Sequence, residues 1–258
     1  MKKTVWITGS TSGLGKRLTY QLLSEGHRVV ALARSETKLQ QLKQAVAHLP
    51  GEMIGIETDV TVTEQITKAM EYGIRHQLAF DVLINNAGLG VFDSIIDAKL
   101  SDMEEMFAVN VLGMMKVTQA VLPYMINVGK GHIIQIGSQA GKIATPKSSG
   151  YVASKHAVLG FSNSLRMEVK EQGIHVSVVN PGPIRTAFFD RADKTGTYVQ
   201  NVGKLMLEPD DVARRIIKLM DKPKREVNMP GWMALGSKLY QLMPAIVERV
   251  AKKQFMKK

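Results

Sequence analysis

The chain predicts an α/β fold, a doubly wound parallel sheet in one domain with a C-terminal helical extension. Three observations carry this. Short strand-like runs alternate with helical patterns over the first 230 residues, several of those runs are apolar on both faces, and the first one enters a glycine-rich turn. Strands buried on both faces and separated by helices need helices on each side of the sheet.

Taken in order, residues 3–8 (KTVWIT) are a β-branched and aromatic run that ends at glycines, which is a strand signature. Leu14, Leu18, Leu22 and Leu23 then recur on one helical face, and Gly26 stops that helix. Residues 28–33 (RVVALA) predict a second strand, 36–47 a helix and 53–58 (MIGIET) a third strand. Ile66, Met70 and Ile74 step by four through a helix over 63–76, and 81–86 (DVLINN) predicts a fourth strand. Helical patterns follow around 101–108 and 110–128. A strand at 132–137 (HIIQIG), a helix from about 150 to 172 and a strand at 175–180 (HVSVVN) come next. A loop rich in Thr, Gly and Asp leads to a helix at 209–221, whose Pro209 suits a first turn, and 225–230 (REVNMP) is a last short strand. No Pro/Gly/Ser-rich linker interrupts 1–230, so one domain spans it, with 231–258 as a basic amphipathic tail.

With 258 residues, 45% of them hydrophobic and 22% charged, the chain has the balance of a soluble globular protein with a large core. Cysteine is absent, which excludes disulfides, thiolate zinc sites and a cysteine nucleophile, and no metal is expected. The same absence fits a reducing cytoplasm. After two lysines, Val5, Trp6 and Ile7 form an apolar run far short of the about 7–15 residues of a secretory segment. No apolar run reaches the about 18–20 residues of a spanning helix. A soluble, cytoplasmic protein is the expectation. Net charge is +11, and from Lys238 onward there are six cations against the single acid Glu248. The excess is therefore partly a tail property. It does not imply nucleic acid, because the chain shows neither a recognition motif nor a base-stacking platform.

The first strand runs into TGSTSGLG (8–15), with Gly9, Gly13 and Gly15. A strand, a glycine turn and a helix at the head of an alternating chain make a dinucleotide phosphate site. Glycines admit the pyrophosphate, and the helix N-terminus offers unpaired N–H groups and a positive dipole end. Three residues separate the first two glycines, where the G-x-G-x-x-G pattern has one. NAD sites carry an acid at the tip of the second strand; here the tip reads ALARSE, with Arg34 after Ala33. A guanidinium grips a 2′-phosphate that a carboxylate repels, so NADP(H) is preferred over NAD(H) unless Arg34 is merely solvated.

NNAG (85–88), Asn110, Ser138, YVASK (151–155) and NPGPIRT (180–186) follow in that order. With them the chain resembles the short-chain dehydrogenase/reductase family, in its subgroup with chains of about this length, over residues 4–190. A Rossmann-like fold and hydride chemistry on a carbonyl or alcohol are what that resemblance implies. Tyr151 and Lys155, four apart, share a helix face. A free tyrosine, with a pKa of about 10, is a poor base at neutral pH. A nearby ammonium and a cationic nicotinamide stabilise its phenolate and are expected to lower that pKa. Tyr151 would then give a proton to a carbonyl oxygen or take one from an alcohol. Ser138 ends a strand, where open parallel sheets bind ligands, and its hydroxyl can hold the substrate oxygen.

The resemblance also implies that Lys155 holds the nicotinamide ribose and that Asn110 supports a water leading to it. A satisfied core amide is the other reading of Asn110. Cofactor contacts are implied for Gly9, Ser10, Thr11, Ser12, Gly13, Leu14 and Gly15 in the turn, and for Asp59 and Val60 at the adenine, although Asp59 reads nearly as well as a loop cap. Asn86, Ala87 and Gly88 would wall the adenine ribose. Pro181 and Gly182 would turn beside the nicotinamide, with Ile184 at its carboxamide and Thr186 at the phosphates. A homodimer or homotetramer through the helices near 110–128 and 150–172 is implied as well.

Residues 187–207 fall where that family keeps a mobile substrate lid. Phe188, Phe189, Tyr198, Val199 and Leu205 would give it an apolar lining and point to an apolar carbonyl or alcohol, unless they only pack the lid onto the sheet. Beyond the last strand, Leu235, Leu239, Leu242, Ile246 and Val250 form an apolar stripe, and Pro244 starts a second short helix. Such a basic amphipathic tail can lie on an anionic membrane surface, or pack beside the cleft or a partner subunit. Two functions remain: an NADP(H)-dependent oxidoreductase, or a catalytically silent dinucleotide-sensing regulator on the same fold. The intact Asn110–Ser138–Tyr151–Lys155 set favours the first.

Overall fold

The computed structural model describes residues 2–250. Each strand-like run becomes a strand: β1 (Thr4–Thr8), β2 (Arg28–Ala33), β3 (Glu52–Glu57), β4 (Val82–Asn85), β5 (Gly131–Ile136), β6 (Ile174–Pro181) and β7 (Glu226–Met229). All pair in parallel in one sheet of order β3-β2-β1-β4-β5-β6-β7. β1 is paired on both sides and buried along its whole length, which is why apolar Val5, Trp6 and Ile7 occupy both of its faces.

Alternation along β1 divides the core. Val5 and Ile7 face the layer of α1 (Gly13–Ser24), α2 (Glu36–Val46) and α9 (Pro209–Leu219). Trp6 faces the layer of α3 (Thr63–Arg75), α4 (Leu100–Phe107), α5 (Met114–Val128) and α6 (Ser149–Glu168). Its ring stacks on Phe80 at 4.6 Å and its Nε1 donates to Ala79 O at 3.0 Å, so the polar edge of the most central side chain is satisfied. Full burial of each large apolar side chain on these faces contributes about 1.5–3 kcal/mol.

Two expectations need correction. The patterns around 101–108 and 110–128 are not separate helices, because a wider, π-type turn over Ala108–Gly113 joins α4 to α5 without a break. The resulting run, Leu100–Val128, is the one described helix long and apolar enough for a spanning segment, with an 18-residue window of mean hydropathy 1.3, and 44% of that window is buried within the fold. Val117, Val121 and Met125 press it onto the Trp6 side of the sheet, so its apolarity is that of a core helix.

Past β6 come two short helices, α7 (Phe188–Ala192) and α8 (Thr197–Val202). Past β7 come α10 (Trp232–Leu242) and α11 (Pro244–Val250), the second opening at Pro244 as its sequence predicts. The tail cations Lys252, Lys253, Lys257 and Lys258 lie outside the described residues. Strand order reverses between β1 and β4, and the carboxyl ends of β1, β4, β5 and β6 open on one side, where such sheets bind ligands.

Candidate active site

The glycine turn is stitched to the loop after β4. Thr8 Oγ1 accepts from the backbone N–H groups of Asn86 and Ala87, both at 3.0 Å, and Asn86 Nδ2 donates to Thr8 O at 3.0 Å and Gly9 O at 3.1 Å. No side chain fits between them. Gly9 sits at φ +64°, and a Cβ there would lie 2.9 Å from Ala87 Cα. A Cβ on Gly15 would lie 2.2 Å from Gly9 O and 2.5 Å from Asn86 Nδ2. Ser12, at the N-cap of α1, makes no side-chain capping bond, and the first turn of α1 holds no acid. That N-terminus suits an anion, so these residues fit a dinucleotide pyrophosphate.

From this turn a cavity of about 490 Å³ extends along the carboxyl ends of the strands. Gly9, Ser12, Gly13 and Leu14 line it from the turn, with Asn86, Ala87 and Gly88 from the loop after β4. Ser138, Tyr151 and Lys155 line its middle, and Pro181, Gly182, Ile184 and Thr186 its far side. Three of the four residues predicted as catalytic, Ser138, Tyr151 and Lys155, are thus brought together in the cavity, without Asn110 in its lining. Ser138 Oγ accepts from Ala140 N at 3.1 Å and shares a hydrogen bond with Tyr151. Lys155 Nζ donates to Ile136 O at 2.9 Å and stands 5.8 Å from the centre of the Tyr151 ring.

The electrostatics differ from expectation. Burial pushes the Tyr151 phenol up to about 12, with the Ser138 hydrogen bond pulling the other way, and burial pushes Lys155 down to about 8. Among the protein groups, desolvation outweighs the stabilising Ser138 hydrogen bond, so the Tyr151 phenol is raised where a lowering was expected.

Several expected contacts fall outside the cavity: Ser10, Thr11, Gly15, Arg34, Asp59, Val60 and Asn110. Ser10 is fully buried and its hydroxyl donates to Leu32 O at 3.2 Å, a structural bond. Asn110 is a satisfied core amide: Nδ2 donates to Leu89 O (2.8 Å) and Ser154 Oγ (3.1 Å), while Oδ1 accepts from Leu89 N (2.8 Å). It clamps the loop after β4 to α6 from within the π-type turn. Asp59 Oδ1 accepts from Thr61 N and Oγ1 at 2.8 and 2.7 Å, so its loop-cap reading holds for that oxygen. Val60 is buried, and a Cβ on Gly113 would lie 2.7 Å from its Cγ2. Thr58 N donates to Ala33 O at 2.8 Å, which sets exposed Arg34 and half-buried Asp59 just past neighbouring strand tips.

Phe188, Phe189 and Tyr198 do line the cavity, whereas Val199 does not and Leu205 is 57% exposed. Their hub is Phe92, which the sequence reading missed. Its ring centre lies 5.6 Å from that of Tyr151, 5.3 Å from Tyr198, 6.2 Å from Phe189 and 6.4 Å from Phe188. Phe92 N donates to Ala192 O at 2.9 Å, tying α7 to the loop after β4. Arg191 adds ion pairs from α7 to Glu105 and, at 3.7 Å, to Asp102 of α4. Also missed were Leu89, Ile143 and Met233 in the lining, and the Lys142–Glu226 ion pair. Gln139 Nε2 donates to Asn180 O at 2.8 Å and Asn228 Oδ1 at 3.0 Å, bracing the turn after Ser138 against β6 and β7. The only signal for Phe92 was its place four residues after NNAG, in a loop with no periodicity.

Comparison with known proteins agrees with this layout. The short chain dehydrogenase family model matches residues 3–196. Dehydrogenase/reductase SDR family member 7B of Danio rerio is 34% identical, over 96% of this chain and 84% of its own. The uncharacterized oxidoreductase YbbO of Escherichia coli is 30% identical, over 96% and 93%. Among solved structures, the closed form of a serine dehydrogenase complexed with NADP+ superposes with a TM-score of 0.81 at 29% identity, covering 88% of this chain and 94% of that one. Sheet order, stitched glycine turn and sequence kinship converge on one assignment, and the chain belongs to the short-chain dehydrogenase/reductase family of oxidoreductases.

Proposed function

We propose that this chain is an NADP(H)-dependent carbonyl reductase or alcohol dehydrogenase for an apolar substrate. The observation that carries the reading is the meeting of Ser138, Tyr151 and Lys155 in one aromatic-lined cavity beside the stitched glycine turn. When bound, the dinucleotide supplies or takes up the hydride. Gly9, Ser12, Gly13 and the α1 N-terminus would hold its pyrophosphate, Asn86 to Gly88 its adenine ribose and Lys155 its nicotinamide ribose. Pro181, Gly182 and Ile184 would flank the nicotinamide, and Thr186 would offer its hydroxyl to the phosphates. Arg34, with no acid at the β2 tip, favours a 2′-phosphate, and the NADP+ complex of the serine dehydrogenase supports the same preference.

Ser138 and Tyr151 hydroxyls would both meet the substrate oxygen. In reduction, negative charge grows on that oxygen as the carbonyl carbon becomes tetrahedral. Tyr151 donates its proton there, Ser138 donates a hydrogen bond, and the Lys155 ammonium stabilises the phenolate left behind. A phenol with a pKa of about 12 is fully protonated at neutral pH, the state that reduction requires. Phe92, Phe188 and Phe189 exclude water and favour apolar groups on the carbonyl carbon. Outward Leu112, Ile126 and Val128 on the π-type turn and α5, and Met167 on α6, support assembly as a homodimer or homotetramer, which a monomer in sedimentation equilibrium would overturn. The lack of cysteine supports a cytoplasmic location, which cell fractionation tests.

A panel of ketones and aldehydes assayed by NADPH oxidation tests the activity, with Tyr151→Phe as the blank. Loss of one general acid should lower turnover by about 10²–10⁴-fold and leave NADPH affinity unchanged. Undiminished turnover in that variant would refute the role of Tyr151, and a panel without turnover would favour the sensor reading.

A further inference from the structure

We infer that α10 and α11 form a docking face for an anionic phospholipid membrane. The apolar stripe predicted for the tail is present and uncovered. On α10, Trp232, Leu235, Leu239 and Leu242 recur at steps of three and four, so they share one side of the helix. All four are exposed, Leu235 at 74% and Leu242 at 79%. Ser237, on the opposite side, is fully buried, and Met233 lines the substrate cavity. The helix therefore has a seated side and a bare apolar side. On α11, Ile246 and Val250 continue the bare surface at 56% and 79% exposure.

Charge selects the occupant. Lys238 and Arg249 flank the stripe, and four further lysines follow in the sequence. The single acid of the segment, Glu248, accepts from Tyr240 Oη at 3.0 Å, a bond that holds α11 against α10. An anionic lipid surface attracts such a segment, and each nearby Lys or Arg adds to the attraction. Trp232 suits the headgroup boundary, where indole rings concentrate. A second copy of the chain fits less well. It would bring two strongly basic tails together, and six apolar side chains fall far short of the roughly 20–30 residues a side of a stable protein interface. Docking through this face would set the substrate cavity, with Met233 in its wall, beside the lipid, a placement that rests on the proposed activity; the docking itself does not.

Cosedimentation of the full chain with vesicles tests the proposal. Vesicles of phosphatidylcholine with phosphatidylglycerol should retain the protein, those of phosphatidylcholine alone should retain less, and added salt should release it. The double variant Leu235→Glu/Leu242→Glu should lower the partition coefficient at least about tenfold, since it removes two apolar contacts and adds two repelled charges. An unchanged far-UV circular dichroism spectrum shows that the variant is folded, whether or not the chain proves to be a reductase. Equal binding by variant and wild type, or no wild-type binding to either vesicle, overturns the proposal. So does an absence of vesicle binding together with a variant that sediments as a smaller species, which would assign the face to a second copy.

Discussion

Tyr151 and Lys155 show how one environment acts on two groups in opposite directions. Burial opposes charge on either, so the phenol is raised to about 12 and the ammonium lowered to about 8. The neutral phenol should therefore persist well above the ordinary tyrosine value. A difference ultraviolet titration of apoprotein against Tyr151→Phe should show no extra phenolate at pH 10, and phenolate absorbance from residue 151 at that pH would contradict the burial argument. The pairing itself was legible in the sequence, because four-residue spacing on a helix is fixed by backbone geometry. The direction of the shift was not, because desolvation depends on neighbours such as Phe92 and Phe188 that reach Tyr151 only in the folded chain. Asn110 and Asp59 illustrate the same limit. Motif position marked both, but only their bonds to Leu89, Ser154 and Thr61 show how the side chains are used.

At the scale of elements, α7 decides how the cavity is covered. Three ties hold it: the Phe92–Ala192 backbone bond, the aromatic cluster, and the Arg191 pairs to Asp102 and Glu105. Arg191 holds the Glu105 carboxyl below the usual carboxylate range through their hydrogen bond. Both side chains are well exposed, so the pair adds only about 0–1 kcal/mol to stability. Its effect belongs to the position of the lid. Arg191→Ala should leave Tm nearly unchanged and raise KM for the carbonyl substrate about three- to tenfold, with a smaller change in kcat. A large fall in Tm with KM unchanged would make the pair structural instead. Strands and most helices were legible because their periodicity is local. The join at Ala108–Gly113 was not, since a π-type turn leaves the helical pattern on either side intact and merely shifts its phase. Phe92 escaped for a different reason: an irregular loop has no period against which a side chain can stand out.

For the molecule as a whole, the stitched turn and the cavity lie between two halves of one sheet, so a bound dinucleotide would touch both. Ligand that binds only the folded chain adds about 2.7 kcal/mol at a hundredfold excess over Kd, or roughly 5–10 °C in Tm for a domain of this size. NADPH should give that rise and NADH a smaller one at equal concentration, and Arg34→Asp should erase the difference. Equal shifts from both cofactors in the wild type would remove Arg34 from the 2′-phosphate site. The fold class was readable from alternation alone, whereas the strand order needed the pairings of β1 with β2 and β4. That order also has a consequence in time. The first strand to leave the ribosome lies inside the sheet, and its second neighbour is made six elements later. Until Val82–Asn85 emerges, one side of β1 is an open edge of unpaired backbone groups beside Val5, Trp6 and Ile7, the kind of surface on which nascent chains aggregate. The arrangement that places the ligand crevice at the middle of the finished protein leaves its oldest segment half-enclosed until the fourth strand is made.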